Sequence, residues 1–400
     1  MMEWPQYSLG KVLSLEYGKP LPARERDTNG DYQVAGSNGP AGTHAQAIVE
    51  GPGVVVGRKG SAGKVYWYEG AFWPIDTTYF VVPRLPLDMR WAYYLLGTLR
   101  LELLASTTGV PGLNRNDAYR LQIALPAISE QRRIVEILDQ ADGLRRLCSE
   151  ADVRTNRVLP ALYSDFFLNQ ASPWPSEPLG KHLRRGKGSL QSGPFGSQLH
   201  NSDFVKNGPV RVVGIDNVLD GEFAEGRNRR ISASKYEQLK KFTLEPGDVL
   251  VTIMGTVGRC CVFPSLPEPA ICTKHVYRIQ LAESIEPEYL SASLRYSSIV
   301  RAQLGASITG QIVAGVTSTD LRRLQLSIPP RDLQARFAEI AIDLRRGADV
   351  VRKRNARVDD LFCALLQRAF SGSLTAPWRE AHMKELLQEM EQQANALAAV

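Results

Sequence analysis

Cysteine is scarce in this 400-residue chain. There are five (Cys148, Cys260, Cys261, Cys272 and Cys363), at no metal-binding or redox spacing. An odd count without a pattern excludes a disulfide framework and fits reduced, buried thiols in a cytoplasm. Cys260 and Cys261 are adjacent, so in a strand they would point to opposite faces. Long hydrophobic runs are missing too: no stretch approaches about 18 apolar residues, which excludes a membrane-spanning helix. The start, Met1-Met2-Glu3-Trp4-Pro5, lacks the basic-then-apolar order of a secretory leader. Charge of one sign is modest, with 48 Lys and Arg against 42 Asp and Glu, a net +6. That balance raises the case for a polyanionic partner without settling it.

Catalytic signatures are equally absent. The chain has no G-x-x-x-x-G-K-[ST], no H-E-x-x-H and no G-x-S-x-G. It also lacks the Asn/Asp-Pro-Pro-Tyr/Phe motif of amino methylation. Its five histidines (His44, His182, His200, His275, His382) are scattered. The run Arg58-Lys59-Gly60-Ser61-Ala62-Gly63-Lys64 looks like a phosphate loop, but it leads into a strand-like run instead of a helix. No active site and no metal site are expected.

What the sequence does contain is a copy of itself. At one offset of 203, Asp117, Arg120, Leu121, Gln122, Pro126, Gln131, Arg133, Glu136 and Ile137 recur as Asp320, Arg323, Leu324, Gln325, Pro329, Gln334, Arg336, Glu339 and Ile340. Leu9-Gly10-Lys11 recurs at Leu179-Gly180-Lys181, and Val34-Ala35-Gly36 at Val212-Val213-Gly214. Gly60 and Gly63 recur at Gly255 and Gly258. The offset only grows along the chain, so the second copy carries insertions, the largest between Gly214 and Gly255. A repeat this long is a duplicated domain, not a solenoid unit.

Each copy has short β-rich runs: Gly53–Arg58, Lys64–Tyr68 and Thr78–Val82 in the first, Val210–Ile215, Asp248–Ile253 and His275–Leu281 in the second. Helical segments follow at Asp88–Ala105 and Pro287–Leu304. A proline and a long amphipathic stretch then end each copy, with Ser129 and Asp332 as expected N-caps. The fold class expected is α+β: two repeated α/β domains separated by two long antiparallel helices forming a coiled-coil spacer. The boundaries expected are 1–128 and 171–331 for the domains, 129–170 and 332–372 for the helices, and 373–400 for a tail helix. Ile134, Ile137, Leu138, Leu144, Phe337, Ile340 and Leu344 are the residues expected in helix packing or subunit docking. Two ordinary core helices are the plainer alternative.

The repeat-equivalent loops are rich in glycine, hydroxyls and cations, the groups that approach and donate to phosphates and base edges. Turn formation alone is the competing explanation. Candidate DNA contacts are Arg58, Lys59, Ser61, Lys64, Thr107, Asn114 and Arg115 in copy one. In copy two they are Ser192, Ser197, Gln198, Thr252, Thr256, Arg259, Lys274, Thr309 and Gln311.

Several of these segments together resemble a known family. Leu125–Asp139 (Leu-Pro-x-x-x-Glu-Gln-Arg-Arg-Ile-Val-x-Ile-Leu-Asp) resembles the passage from recognition domain to central helix in specificity (S) subunits of type I restriction-modification systems, the HsdS family. So do Gly57–Lys64, Pro74–Thr78, Gly193–Leu199, Gly255–Arg259 and Leu366–Gly372. The resemblance spans roughly residues 5–375, in order. Copy two departs from it at Arg331-Asp332-Leu333-Gln334, where copy one has Ile128-Ser129-Glu130-Gln131.

The resemblance implies that each copy reads one half of a bipartite, asymmetric site on double-stranded DNA. It implies two methylation subunits docked on the helices, bringing S-adenosylmethionine and flipping an adenine. It also implies restriction subunits that bring ATP and Mg2+. This chain would itself hold no cofactor and perform no catalysis. An unrecognised methyltransferase or nuclease site, or a protein scaffold that binds no DNA, are the competing functions.

Overall fold

A computed structural model describes residues 4–106, 109–169, 174–309 and 315–398, and of residues 307–309 the backbone alone. The chain forms two compact units. Unit 1 comprises residues 1–149 and 354–400, and unit 2 comprises residues 150–353.

Unit 1 opens with β1 (Gln6–Ser8), α1 (Leu9–Val12) and β2 (Leu13–Tyr17), followed by β3 (Tyr32–Gly36) and β4 (Gly39–His44). Next come β5 (Gly53–Gly57), β6 (Val65–Tyr68), β7 (Phe72–Pro74) and β8 (Thr78–Pro83). Helix α2 (Met89–Thr98), α3 (Arg115–Tyr119) and β9 (Gln122–Ala124) lead into the 40-residue helix α4 (Ile128–Phe167). One sheet has the order β2-β8-β5-β6, a second β4-β3-β7, and β1 pairs with β9.

Unit 2 repeats this plan. Its elements are β10 (Ser176–Pro178), β11 (Leu190–Ser192), β12 (Phe204–Val205), β13 (Val210–Val213) and β14 (Arg230–Ile231), then α5 (Ala233–Leu239). They continue with β15 (Val249–Thr252), β16 (Cys260–Val262), β17 (Ala270–Cys272) and β18 (Val276–Ile279). Helices α6 (Pro287–Tyr296), α7 (Ser298–Thr309) and α8 (Ser318–Arg323) precede β19 (Gln325–Ser327) and the 40-residue α9 (Arg331–Phe370). The sheet β11-β18-β15-β16 matches β2-β8-β5-β6 strand for strand, and β10–β19 matches β1–β9. The parallel pair β3–β7 recurs as β13–β17. The inserted residues form β14 and α5, with β14 lying between β12 and β13 in the second sheet.

All six strand-like runs form strands at nearly the expected bounds. The two following helical segments are each broken. Leu99 caps α2 and Arg100 turns left-handed at φ 49°, opening a separate 3-10 turn over Leu101–Leu104. Ser297, extended at ψ 117°, divides α6 from α7. Cys260 and Cys261 do face opposite ways, into two different apolar clusters of unit 2.

At 1.5 Å per residue each long helix measures about 60 Å. Each contributes one half to each unit. In unit 1, Ile134 and Leu138 of α4 share a core with Phe362 and Ala369 of α9. In unit 2, Tyr163 and Phe167 of α4 pack against Phe337 and Ala341 of α9. The start of one helix thus lies beside the end of the other, which makes the pair antiparallel. Of the expected packing positions, Ile134, Leu138 and Phe337 are fully buried, while Ile137 and Leu344 are half-buried. Leu144 and Ile340 are exposed, which corrects their assignment to the helix–helix seam within this chain. Neither helix begins at its expected cap. Ser129 and Asp332 lie inside the first turn, because α4 starts at Ile128 and α9 at Arg331.

After α9 the chain forms α10 (Ala376–Ala381) and α11 (Met383–Ala398), and this tail is docked in unit 1. Glu130, fully buried, accepts from Trp4 Nε1 at 2.9 Å, Thr375 Oγ1 at 2.6 Å and Arg379 Nε at 2.9 Å. Glu389 of α11 caps the free Ser129 N–H at 2.9 Å. The stabilisation that Ser129 cannot give as a cap therefore comes from a carboxylate 260 residues away.

Candidate nucleic-acid interface

The loops singled out in copy one come together. Gly57 N–H donates to Lys64 O at 2.8 Å and Gly63 N–H to Gly57 O at 2.8 Å, closing residues 57–64 into a compact hairpin end. Gly60 and Gly63 sit at φ 76° and 82°, where a side chain is disfavoured. Arg58 N–H donates to Thr77 O, Gly60 N–H to Pro111 O and Leu113 N–H to Arg58 O, which ties in the 74–78 and 111–115 loops. Ser61 Oγ reaches Asn38 Oδ1 at 3.2 Å, adding the β3–β4 turn.

Unit 2 repeats three of these bonds. Thr252 N–H donates to Arg259 O at 2.8 Å, Gly258 N–H to Thr252 O at 2.9 Å and Ile253 N–H to His275 O at 3.1 Å. Gly255 and Gly258 adopt φ 74° and 88°. A close approach is shared as well. A Cβ on Gly18 would lie 2.2 Å from Ile75 O, and one on Gly193 would lie 1.9 Å from Cys272 O. The backbones are equivalent while the side chains on them differ. Arg58, Lys59 and Asp76 are replaced by Ile253, Met254 and Lys274.

The individual candidates divide. Lys59 and Lys64 are exposed and form no ion pair among the described residues. Arg58 and Arg115 are half-buried, and both guanidinium groups lie against the Tyr17 ring, at 4.9 and 4.8 Å from its centroid. Ser61 is occupied by Asn38, and Asn114, though exposed, spends its carbonyl capping α3 through Asn116 N–H at 3.0 Å. In unit 2, Arg259, Lys274 and Ser197 are exposed, and Ser192 and Gln198 half-buried.

Lys274 and the Gly193–His200 loop line one cleft of about 550 Å³ with His275 and Arg229. Burial and the adjacent Lys274 charge push the His275 imidazole below its usual range.

Two candidates are corrected. Thr252 is fully buried, its hydroxyl donating to Thr256 O and Arg259 O, so it shapes the loop from inside. The Thr256 hydroxyl is also buried, without a hydrogen-bond partner among the described residues. Thr107 and Gln311 lie outside the described residues, and Thr309 falls in α7 with its side chain outside them. Sequence reasoning missed Tyr17, which stands before Gly18 where Ser192 stands before Gly193 in the other copy.

A family model for the type I restriction modification DNA specificity domain matches residues 1–148. Residues 1–148 are thus similar to that domain, and the second copy repeats the topology and loop bonds of the first. Among relatives, the EcoprrI specificity subunit of Escherichia coli is 25% identical over 154 residues, 37% of this chain and 38% of that protein. The EcoKI specificity subunit of the same species is 27% identical over 177 residues, 42% of this chain and again 38% of the relative. The chain thus matches under two fifths of the length of these relatives. The MjaVIII specificity subunit of Methanocaldococcus jannaschii is 21% identical over a longer stretch, 72% of this chain and 71% of the relative.

The fold is similar to that of a solved S subunit from M. genitalium, with a TM-score of 0.63 at 16% identity. The match covers 92% of this chain and 96% of that one. A second match, from a structure concerned with complex assembly and conformational transition of the type I R-M system, has a TM-score of 0.53 at 17% identity. It covers 94% of this chain and 99% of the other. No described helix is long and apolar enough to cross a membrane, and no described cluster of His, Cys, Asp or Glu is suited to a metal.

Proposed function

We propose that this chain is the specificity (S) subunit and DNA-reading member of a type I restriction-modification complex, each unit reading one half of a bipartite, asymmetric site. One observation carries this reading. Two loop clusters with three of the same backbone hydrogen bonds, the same left-handed glycines and the same crowded glycine present different side chains. A frame held constant under changing surface groups suits two readers of different sequences. The exposed cations Lys59, Lys64, Arg259 and Lys274 supply attraction to phosphate in both units.

The chain contributes address, not chemistry. Two methylation subunits dock on the long helices and bring S-adenosylmethionine, and restriction subunits bring ATP and Mg2+; the complex works in the cytoplasm. Docking is supported by apolar side chains left in water on the helices, Leu144, Leu147 and Leu361 in unit 1 and Val153, Val158 and Val350 in unit 2. A methyltransferase or nuclease site in the chain itself is disfavoured, because the glycine loops are filled by their own backbone bonds.

Mapping methylated adenines in DNA from cells carrying the system tests the reading. The expected result is a split motif with unlike halves. Exchanging residues 1–125 for those of a relative should then change one half only. A palindromic motif, or a change in both halves, would overturn modular reading.

A further inference from the structure

Resting on the reading that unit 1 reads DNA, we propose that Tyr17 is a platform presenting Arg58 and Arg115 as a guanine-reading pair in the major groove. Tyr17 ends β2 and is 48% exposed. Its ring is braced by Tyr79, centroid to centroid 5.1 Å, and the Tyr79 hydroxyl donates to Leu113 O at 3.1 Å. Both guanidinium groups lie within 5 Å of the Tyr17 ring centroid. Each is pinned by one bond to a carbonyl, Arg58 Nη1 to Asp76 O at 2.8 Å and Arg115 Nη1 to Leu15 O at 3.0 Å.

No carboxylate pairs with either cation among the described residues, and their other nitrogens are neither hydrogen-bonded there nor buried. Two full charges therefore stay open to a ligand. Ring stacking and a fixed carbonyl bond remove the rotamer freedom that a long side chain loses on binding. What is held in place is a planar fork, and guanine offers two acceptors, O6 and N7, that match it. A phosphate needs only a nearby charge, and the exposed Lys59 and Lys64 already provide that.

The platform belongs to one unit. Ser192 faces Tyr277 where Tyr17 faces Tyr79, Ile253 makes the backbone bond of Arg58, and Ser318 follows the N-cap of α8 as Arg115 follows that of α3. Unit 2 thus has none of the three side chains, and the guanine preference is confined to the half-site of unit 1.

The test is sequence selection from a randomised duplex pool by the full chain assembled with its methylation subunits. The wild type is compared with Arg58→Ala, Arg115→Ala, Arg58→Lys, Arg115→Lys and Tyr17→Leu. The wild type should select guanine in one half-site. Each arginine variant, to alanine or to lysine, should lose guanine preference there by about fivefold or more. Tyr17→Leu should weaken both positions, and the other half-site should be unaffected. The lysine variants keep charge and bulk, so they report even if the alanine variants fold poorly. A half-site without guanine overturns the proposal. So does uniform weakening on all sequences that lysine restores, the signature of phosphate contact. A wild type that selects no sequence at all would instead overturn the DNA-reading function itself.

Discussion

Gln131 and Gln334 make the same two hydrogen bonds in the two halves of the chain. Gln131 Nε2 donates to Pro126 O at 2.9 Å while its Oε1 accepts Asp88 N–H at 2.9 Å. Gln334 Nε2 donates to Pro329 O at 2.8 Å while its Oε1 accepts Glu286 N–H at 2.9 Å. Both are fully buried. Each fastens the first turn of a long helix to the chain entering it and to the N-cap of α2 or α6, which fixes how that helix leaves the domain before it.

Removing either side chain takes the partner from a half-buried N–H and the main donor from a buried carbonyl, although Pro126 O keeps a longer bond from Gln393 Nε2 at 3.4 Å. Gln131→Ala and Gln334→Ala should each cost about 2–4 kcal/mol in denaturant unfolding. Gln131→Glu puts a buried carboxylate against Pro126 O, so at neutral pH it should cost at least as much as the alanine variant. Variants as stable as the wild type would show that these bonds do not hold the helix entry.

This pair also shows what the sequence made legible. Spacing exposed Gln131 and Gln334 as repeat partners because a fixed helix entry tolerates no insertion, and the strands were readable from their β-branched runs. The helix breaks at Arg100 and Ser297 were not, since neither residue is a glycine or proline. Ser129 and Asp332 misled because good capping residues sat one turn position too late. In the site, Lys59 and Lys64 are exposed, as contacts to phosphate would need. Thr252 is not, because whether a strand-end hydroxyl turns inward depends on the loop that closes over it. The Tyr17 platform depends on three loops meeting in space, which no local pattern encodes.

Lys59, Lys64 and Arg259 are exposed on the loop ends and carry no partner charge among the described residues. If they touch phosphate, Lys59→Ala, Lys64→Ala and Arg259→Ala should each weaken binding to every duplex alike. Each should also reduce the slope of log affinity against log salt by about 1. A titration of the assembled complex across salt concentrations measures this, and an unchanged slope would take that residue out of the interface.

Asp248 gives unit 2 a pH dependence of known sign. Burial pushes its carboxyl up to about 6, even though it accepts Glu245 N–H and Arg278 lies near. A raised acid binds more protons folded than unfolded, so its stabilisation is present below about pH 4 and is lost as pH rises through about 6. The loss amounts to about 3 kcal/mol. Asp248→Asn keeps an acceptor for Glu245 and cannot ionise. It should flatten the stability profile between pH 4 and 6 and raise stability at pH 7 relative to the wild type. A variant with the wild-type profile would assign that slope to other groups.

The tail lock tests why the two copies differ at one position. Glu130 meets Trp4, Thr375 and Arg379 in unit 1, and Arg379 Nη2 also donates to Gly372 O at 2.7 Å. The equivalent position in unit 2 is Leu333, packed against apolar neighbours. Breaking one side leaves a buried charge, so Glu130→Leu or Arg379→Leu alone should cost about 3–5 kcal/mol. Each should also open residues 373–398 to protease. Replacing both removes the unpaired charge and recreates the apolar solution of unit 2. The double variant should recover much of the loss and protect the tail again, because a buried ion pair is worth little beyond the cost of its own desolvation. Limited proteolysis read by mass, beside denaturant unfolding, separates the cases. A double variant as unstable as the sum of the single ones would mean that the hydrogen bonds from Trp4 and Thr375, not the ion pair, hold the tail.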